Sequence, residues 1–385
     1  MNLISKEMLK GKLFFFFSLI MVLLASCGGS KTSSLIQDGD TLALSDARNL
    51  LLVRYKGYTL AQLRNPWDTL KVLHTYILVP RADSLPVNLP EGTVVRTPLS
   101  HTVIYSSVHC SLLQELGAMK RIGGICDLKY MRLPAIRERC SSGQIADIGD
   151  AMNPNIEKLI DLHPDAILLS PFENSGGYGR VEKLNIPLIE CADYMENSAL
   201  GRAEWMKFYG ILFGCEAQAD SLFTKVRTSY LALLAKVKKE KQKPLLLVDL
   251  PLSSTWYQPG GHSTMGHLYA DAGARTLMQE TSQSGSIPLA FETVFDKGQD
   301  ADIWLIRYNE PVDKTLQSLA KERSAFTQFR AFQQKKVYAC NTSTSSFYEE
   351  TPFHPDWLLE DLIKIMHPNV LSSLKLRYYN IVREK

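Results

Sequence analysis

Short apolar runs punctuate this chain, and the stretches between them carry apolar residues at every third or fourth position. Thr102-Val103-Ile104-Tyr105, Arg121–Cys126, Ala166-Ile167-Leu168-Leu169 and Ile186–Glu190 read as buried strands. A helix follows polar Ser106-Ser107 and stops at Leu116-Gly117, and Asn155–Leu162 has the period of an amphipathic helix. Short buried strands separated by helices predict parallel βαβ units. The texture then changes. From Leu200 to Lys238 the chain is nearly free of Gly and Pro, apart from Gly210 and Gly214, and Trp205, Phe208, Ile211 and Leu212 recur at helical spacing. The basic run Lys236–Lys243 and Pro244 end that stretch.

A second α/β series starts at Leu245-Leu246-Leu247-Val248-Asp249. It runs through a turn at Gly260-Gly261, helices at Met265–Ala272 and Phe291–Lys297, strands at Ile303–Ile306 and Lys336–Tyr338, and a closing helix near Trp357–Met366. The two series share a pattern. Asn155-Ile156-Glu157 precedes a helix and then Asp165-Ala166-Ile167-Leu168-Leu169; Ala290-Phe291-Glu292 precedes a helix and then Asp302-Ile303-Trp304-Leu305. An acidic helix start followed by an Asp-led buried strand, once per series, suggests duplicated architecture. Upstream, Leu50–Tyr58 and Leu70–Leu78 read as strands around a turn at Asn65-Pro66, and residues 35–95 are expected to add strands to the first lobe. The fold class expected is α/β: two lobes, each a mainly parallel sheet flanked by helices, joined by a single long backbone helix. The boundaries expected are 35–198 for the N-terminal lobe, 199–240 for the connecting helix and 241–385 for the C-terminal lobe.

The first 26 residues belong to neither lobe. Lys6, Lys10 and Lys12 precede an apolar stretch, Leu13–Leu24, that is too short for a bilayer core needing about 20 residues. The flanks and length match a secretory signal peptide over 1–26. Leu24-Ala25-Ser26-Cys27 resembles a lipobox, in which the Cys27 thiol takes lipid and becomes the mature N-terminus. Residues 27–34 then read as a lipidated tether. Such a chain is exported and anchored in the cell envelope, facing the periplasm or, in a Gram-positive cell, the outer face of the cell membrane.

Removing that segment from the 385 residues leaves 359, more than one core usually serves, and lowers the net charge from +3 to about +1. Nothing in that balance calls for a nucleic-acid partner. Six further cysteines remain, Cys110, Cys126, Cys140, Cys191, Cys215 and Cys340, with no CxxC pair to suggest structural zinc. Six thiols allow fifteen disulfide connectivities, and sequence chooses none of them.

Taken together, His101–Gly124, Asn155–Leu169, Gly201–Gly214 and Leu289–Ile306 resemble the class III periplasmic substrate-binding proteins of ABC importers, which deliver vitamin B12, ferric siderophores or haem. Gly201-Arg202-Ala203-Glu204-Trp205 with Phe213-Gly214 resembles the start of the family's inter-lobe helix, and Thr255–Gly261 its cleft-edge loop. The resemblance implies a monomer that is not an enzyme, holds no intrinsic cofactor or metal, and docks onto permease arginines through one glutamate per lobe. The matching positions are Glu157 and Glu292. A first-turn carboxylate is favoured by the helix dipole and pairs well with a partner arginine.

Ligands of open α/β sheets bind at the C-terminal ends of the strands. Tyr105, Ser106, Ser107, His109, Tyr130, Phe172 and Tyr178 arrive there from the first lobe, and Trp256, Tyr257, His262, Arg307, Tyr308 and Tyr348 from the second. An aromatic-rich set with two histidines and an arginine suits a large flat metal chelate: a ferric siderophore, haem or a corrinoid. His109 or His262, or a phenolate from Tyr105, Tyr130 or Tyr257, is a candidate axial ligand. Three other readings stay open. A zinc or manganese receptor needs about three convergent histidines and a carboxylate, whereas the eight histidines here are scattered. A hydrolase would draw on His262-Ser263-Thr264-Met265-Gly266-His267, which lacks the glutamate of a His-Glu-x-x-His helix. An adhesin that kept the receptor fold would leave Glu157 and Glu292 without a role.

Overall fold

The computed structural model describes residues 39–68, 70–173 and 177–385. The signal peptide, Cys27 and the tether lie outside the described residues. From Thr41 to Lys385 the chain is one compact unit.

The two lobes are built on the same plan. In the first, Thr102–Ile104 lies between Ile122–Cys126 and Ala166–Leu169, with Leu188–Glu190 outside the latter; all four are parallel. In the second, Leu245–Val248 lies between Arg275–Thr276 and Ile303–Tyr308, with Val337–Asn341 outside the latter, again parallel. Each Asp-led strand therefore pairs with its lobe's first strand, Ile167 opposite Val103 and Trp304 opposite Leu247. The leading aspartates do the same work in both places. Asp165 Oδ2 accepts from the Ser100 and His101 amides and binds Arg81 at 2.6 Å; Asp302 accepts from the Leu245 amide at 2.8 Å and binds Arg330 at 2.7 Å. A carboxylate at that position fixes the register of two parallel strands through backbone donors, so the duplicated pattern in the sequence has a structural cause. Antiparallel additions differ between the lobes: Asn153–Pro154 on Ala146–Asp150 in the first, Asn380–Ile381 on Val337–Asn341 in the second.

The single connecting helix expected over 199–240 is three helices, Ala199–Glu204, Met206–Phe213 and Glu216–Val237. The break has a cause. Gly214 sits at φ +64, where its amide caps the second helix, and a Cβ there would meet the Pro98 ring at 2.9 Å. The last segment, 22 residues and about 33 Å long, carries Phe223, Val226, Tyr230 and Leu233 into a core shared by both lobes.

Residues 41–97 do not extend the first lobe's sheet. Leu50–Tyr55, Tyr58–Arg64, Val72–Pro80 and Thr93–Thr97 form a sheet of their own, whose inner face (Leu52, Ala61, Leu63, Tyr76, Leu78, Val95) is buried in the shared core. Two buried carboxylates hold it there. Glu204 accepts from the Ser45, Asp46 and Ala47 amides at 2.7–2.9 Å, and Glu196 from those of Arg48 and Asn49.

Candidate functional site

The strands of both lobes end on the same side of the protein. Helix Ser107–Glu115 leaves the end of the first lobe's first strand, and Phe347–Glu350 follows the end of Val337–Asn341 in the second; the two pack together. Ser107 hydrogen-bonds Glu349 there, and Arg132 lies close enough to act on the same carboxylate. Burial raises the Glu349 carboxyl above its ordinary value, against the pull of Ser107 and Arg132.

On the first lobe this end opens into a cavity of about 540 Å³, bordered by Tyr105, Ser106, Met152, Phe172, Tyr178 and Arg180. Each wall comes from a loop after a strand. Ser106 caps helix 107–115, its Oγ accepting from the Val108 amide. Tyr105 is half-buried; its hydroxyl is buried and has no partner among the described residues, and burial, with Cys126 nearby, raises its phenol. Tyr178 donates to Glu190 at 2.7 Å, and burial followed by that carboxylate raises its phenol too. Phe172 is 46% exposed. An apolar wall with few polar groups is what a large, partly apolar small molecule needs.

The second lobe contributes a separate, charged cavity of about 450 Å³, bordered by Arg307, Tyr308, Glu310, Lys314, Glu322 and Arg323. Arg307 and Asp249 form a two-pronged pair, Nε–Oδ1 3.0 Å and a terminal nitrogen to Oδ2 2.5 Å. Burial opposes the arginine's charge, and Asp249 outweighs it. Lys314 bridges Glu310 and Glu322. Tyr308 Oη accepts from the Lys314 amide.

The residues expected from sequence are thus divided. Tyr105, Phe172 and Tyr178 meet in one cavity, and Arg307 and Tyr308 in the other. Ser107 lies at the seam between lobes. Tyr130, Tyr257 and Tyr348 are about half exposed and border neither cavity, and His262 is exposed beside His267. Two expectations are corrected. Trp256 is fully buried among Phe291, Trp304, Phe326 and Phe329, with Nε1 donating to the Val248 carbonyl, so it belongs to the second lobe's core. His109 is buried too, with Nε2 2.9 Å from Asp193 and 3.1 Å from the Tyr209 hydroxyl; it ties helix 107–115 to the connecting segment.

Sequence reasoning missed Met152, Arg180, Glu310, Lys314, Glu322 and Glu349. Met152 and its neighbours follow Ala146–Asp150, a strand whose one buried residue, Ile148, gave too weak a period to be read. Glu310 and Lys314 lie in a loop, and Arg180, Glu322 and Glu349 in short helical turns with no local signature of a site.

Glu157 and Glu292 are both exposed in the first turns of helices Ile156–Leu162 and Phe291–Gly298. Each helix runs antiparallel to the strand after it, so both glutamates stand at the end of their lobe where the strands terminate. All six cysteines named above are free thiols, and no helix among the described residues is long and apolar enough to cross a membrane.

Known proteins carry the same arrangement. A family model described as periplasmic binding protein matches residues 103–344, most of both lobes. The chain belongs to that family. This periplasmic binding protein is 23% identical over 297 residues to an uncharacterized lipoprotein of Methanocaldococcus jannaschii, covering 74% of this chain and 69% of the relative. Among solved structures it resembles a possible iron-binding periplasmic solute-binding protein from Staphylococcus epidermidis, at 17% identity and TM-score 0.56 over 70% of this chain and 100% of that one. A periplasmic heme-binding protein from Pseudomonas aeruginosa aligns at 16% identity and TM-score 0.56, over 74% and 99%. At such identities the structural likeness establishes the two-lobed fold. The sheet over 41–97 precedes the family match entirely.

Proposed function

We propose that this periplasmic binding protein is a lipid-anchored receptor that captures a metal chelate, either an iron chelate (siderophore or haem) or a corrinoid, between its lobes and hands it to an ABC importer. The observation that carries this reading is the apolar cavity at Tyr105, Phe172 and Tyr178, opening where the first lobe's strands end. On this reading Arg307 and Tyr308 supply the second lobe's polar contacts to the ligand. Binding is reversible and changes no bond. Glu157 and Glu292 meet arginines of the permease, and the lipid on Cys27 keeps the receptor near that partner. The neighbours' stated ligands, iron and heme, favour the same class.

Titration of purified protein with haem, ferric siderophores and cobalamin, followed by absorption, tests the reading. A Soret, charge-transfer or corrinoid band that shifts on binding and weakens in Phe172→Ala is the expected result. No shift with any of the three overturns it. A bare zinc or manganese ion is a poorer cargo, because among the described residues no group of three or more His, Cys, Asp or Glu side chains is placed to hold one. One tightly held zinc per chain in protein purified without chelators would reverse that preference.

A further inference from the structure

The sheet over 41–97 has an outer face that the shared core does not cover, and one end of it is apolar. Tyr55 and Tyr58 stack across the hairpin turn at 4.9 Å between ring centroids. Between them Gly57 adopts φ +89, and a Cβ built on it would lie 3.2 Å from Pro86 Cγ. The connection between Pro80 and Thr93 is thereby seated against this turn, and it presents its own apolar residues beside the tyrosines. Leu85 is 56% exposed and Val87 87%. Lys56, at the turn, is exposed and has no ion-pair partner among the described residues. Single exposed apolar residues are ordinary. Two aliphatic residues, a proline and a tyrosine pair around one lysine form a patch whose chemistry suits the boundary between headgroups and acyl chains.

The covalent path of the chain argues for that occupant. Leu42 donates to the Leu52 carbonyl, and the chain returns at Leu50 after the turn held by Glu204 and Glu196. This hairpin directs the chain upstream of Leu42 back along strand 50–55, toward Tyr55. Twelve residues lie between Cys27 and Asp40. Even fully extended, that segment reaches at most about 45 Å, so a lipid on Cys27 holds Asp40, and with it this sheet, within that distance of the bilayer.

The geometry points to the tip formed by Tyr55, Lys56, Tyr58, Leu85, Pro86 and Val87 as a membrane-interface contact that lies on the bilayer beside the lipid anchor. It rests on the reading of Cys27 as the lipidated residue. The tip gives the receptor a second point of attachment, and two points fix a tilt that one flexible point leaves free. Lys56 faces the phosphates of anionic lipids, and the aliphatic residues enter the ester region.

The test uses the full-length lipoprotein in phosphatidylethanolamine–phosphatidylglycerol vesicles with brominated or plain acyl chains. Val87→Trp places a fluorophore at the tip, and Val312→Trp, 74% exposed in the second lobe, serves as the comparison. Expected, after subtracting the parent protein's signal, is at least twofold quenching of the Val87→Trp emission by brominated lipid and none for Val312→Trp. Equal emission at both positions, in protein that floats with the vesicles, overturns the membrane contact and leaves the anchor standing. Protein that fails to float overturns the anchor and the contact together. Loss of quenching with crosslinked dimers through Leu85→Cys would assign the tip to a second copy instead.

Discussion

Glu115 and His354 meet across the seam between the two lobes, Oε2 to Nε2 at 2.7 Å. Glu115 ends helix 107–115 of the first lobe, and His354 precedes helix Pro355–Met366 of the second, stacked on Trp357 at 3.5 Å. Burial by itself would discharge the imidazole, but Asp356 and Glu115 outweigh it and carry the histidine up to about 9. A group whose folded value is raised contributes stability that is complete below its unfolded value, about 6.5, and lost as pH rises through the folded one. Thermal stability is therefore expected to fall between about pH 6.5 and 9, and Glu115→Gln to flatten that fall while costing about 1–2 kcal/mol at neutral pH. Melting curves of both proteins across this range check it.

The second buried histidine is a structural post. His109 shares Asp193 with Tyr209 and Arg202, and is raised to about 10: its burial is opposed by Cys191 and Asp193. Asp193 is held down at about 2, because His109 and Arg202 offset its burial. Its stabilisation is thus present above the usual aspartate value and disappears as pH falls through about 2. His109→Ala is expected to cost about 3–5 kcal/mol by leaving a buried carboxylate short of a partner, with ligand affinity per folded molecule unchanged. Urea unfolding and ligand titration on the same sample separate the two effects.

Trp256 and Tyr257 are neighbours on one strand and should behave oppositely. Trp256→Ala is expected to destabilise by about 3–5 kcal/mol without a specific effect on binding. Tyr257→Ala, at a position about half exposed, should change stability by less than about 0.5 kcal/mol. Chemical denaturation of the pair decides it.

Phe172→Ala and Tyr178→Phe address the cavity directly. The first removes an exposed ring and should weaken ligand binding about tenfold with stability nearly intact. The second loses the hydrogen bond to Glu190 and should cost about 1 kcal/mol of stability. Equilibrium titration with whichever chelate binds the parent protein provides the readout.

Glu157→Lys with Glu292→Lys is expected to abolish import while leaving ligand affinity unchanged, since both side chains are exposed and line neither cavity. Transport by proteoliposomes carrying the permease, beside a binding isotherm, checks it. Import at the parent rate would remove the docking role.

Much of the core was legible because its strands are buried on both faces. Ala166–Leu169 stands where Pro164-Asp165 and the unbroken apolar run placed it. The site was harder to read, since residue type does not say which side of a strand a side chain takes. In Thr255–Pro259 the alternation puts Trp256 and Gln258 inside, both bonded to the Val248 carbonyl, and Tyr257 outside. The Lys56-Gly57 turn was passed over because one glycine among strand-forming residues carries little weight, yet the chain reverses there. The helix break at Gly214 has a local sign, the glycine itself, whereas the contact that bars a side chain there is with Pro98, more than a hundred residues upstream.

The carboxylates of Glu196 and Glu204 have a bearing on any attempt to pare this receptor to its family core. Their amide donors come from residues 45–49. Trimming the chain to begin near Pro98 would take five amide donors from these carboxylates, leaving Glu204 with Lys207 and Glu196 with the Trp205 indole, and would uncover the core face that the sheet now buries. The N-terminal sheet has become an obligate part of the molecule, and a minimal version of this receptor starts at Leu42.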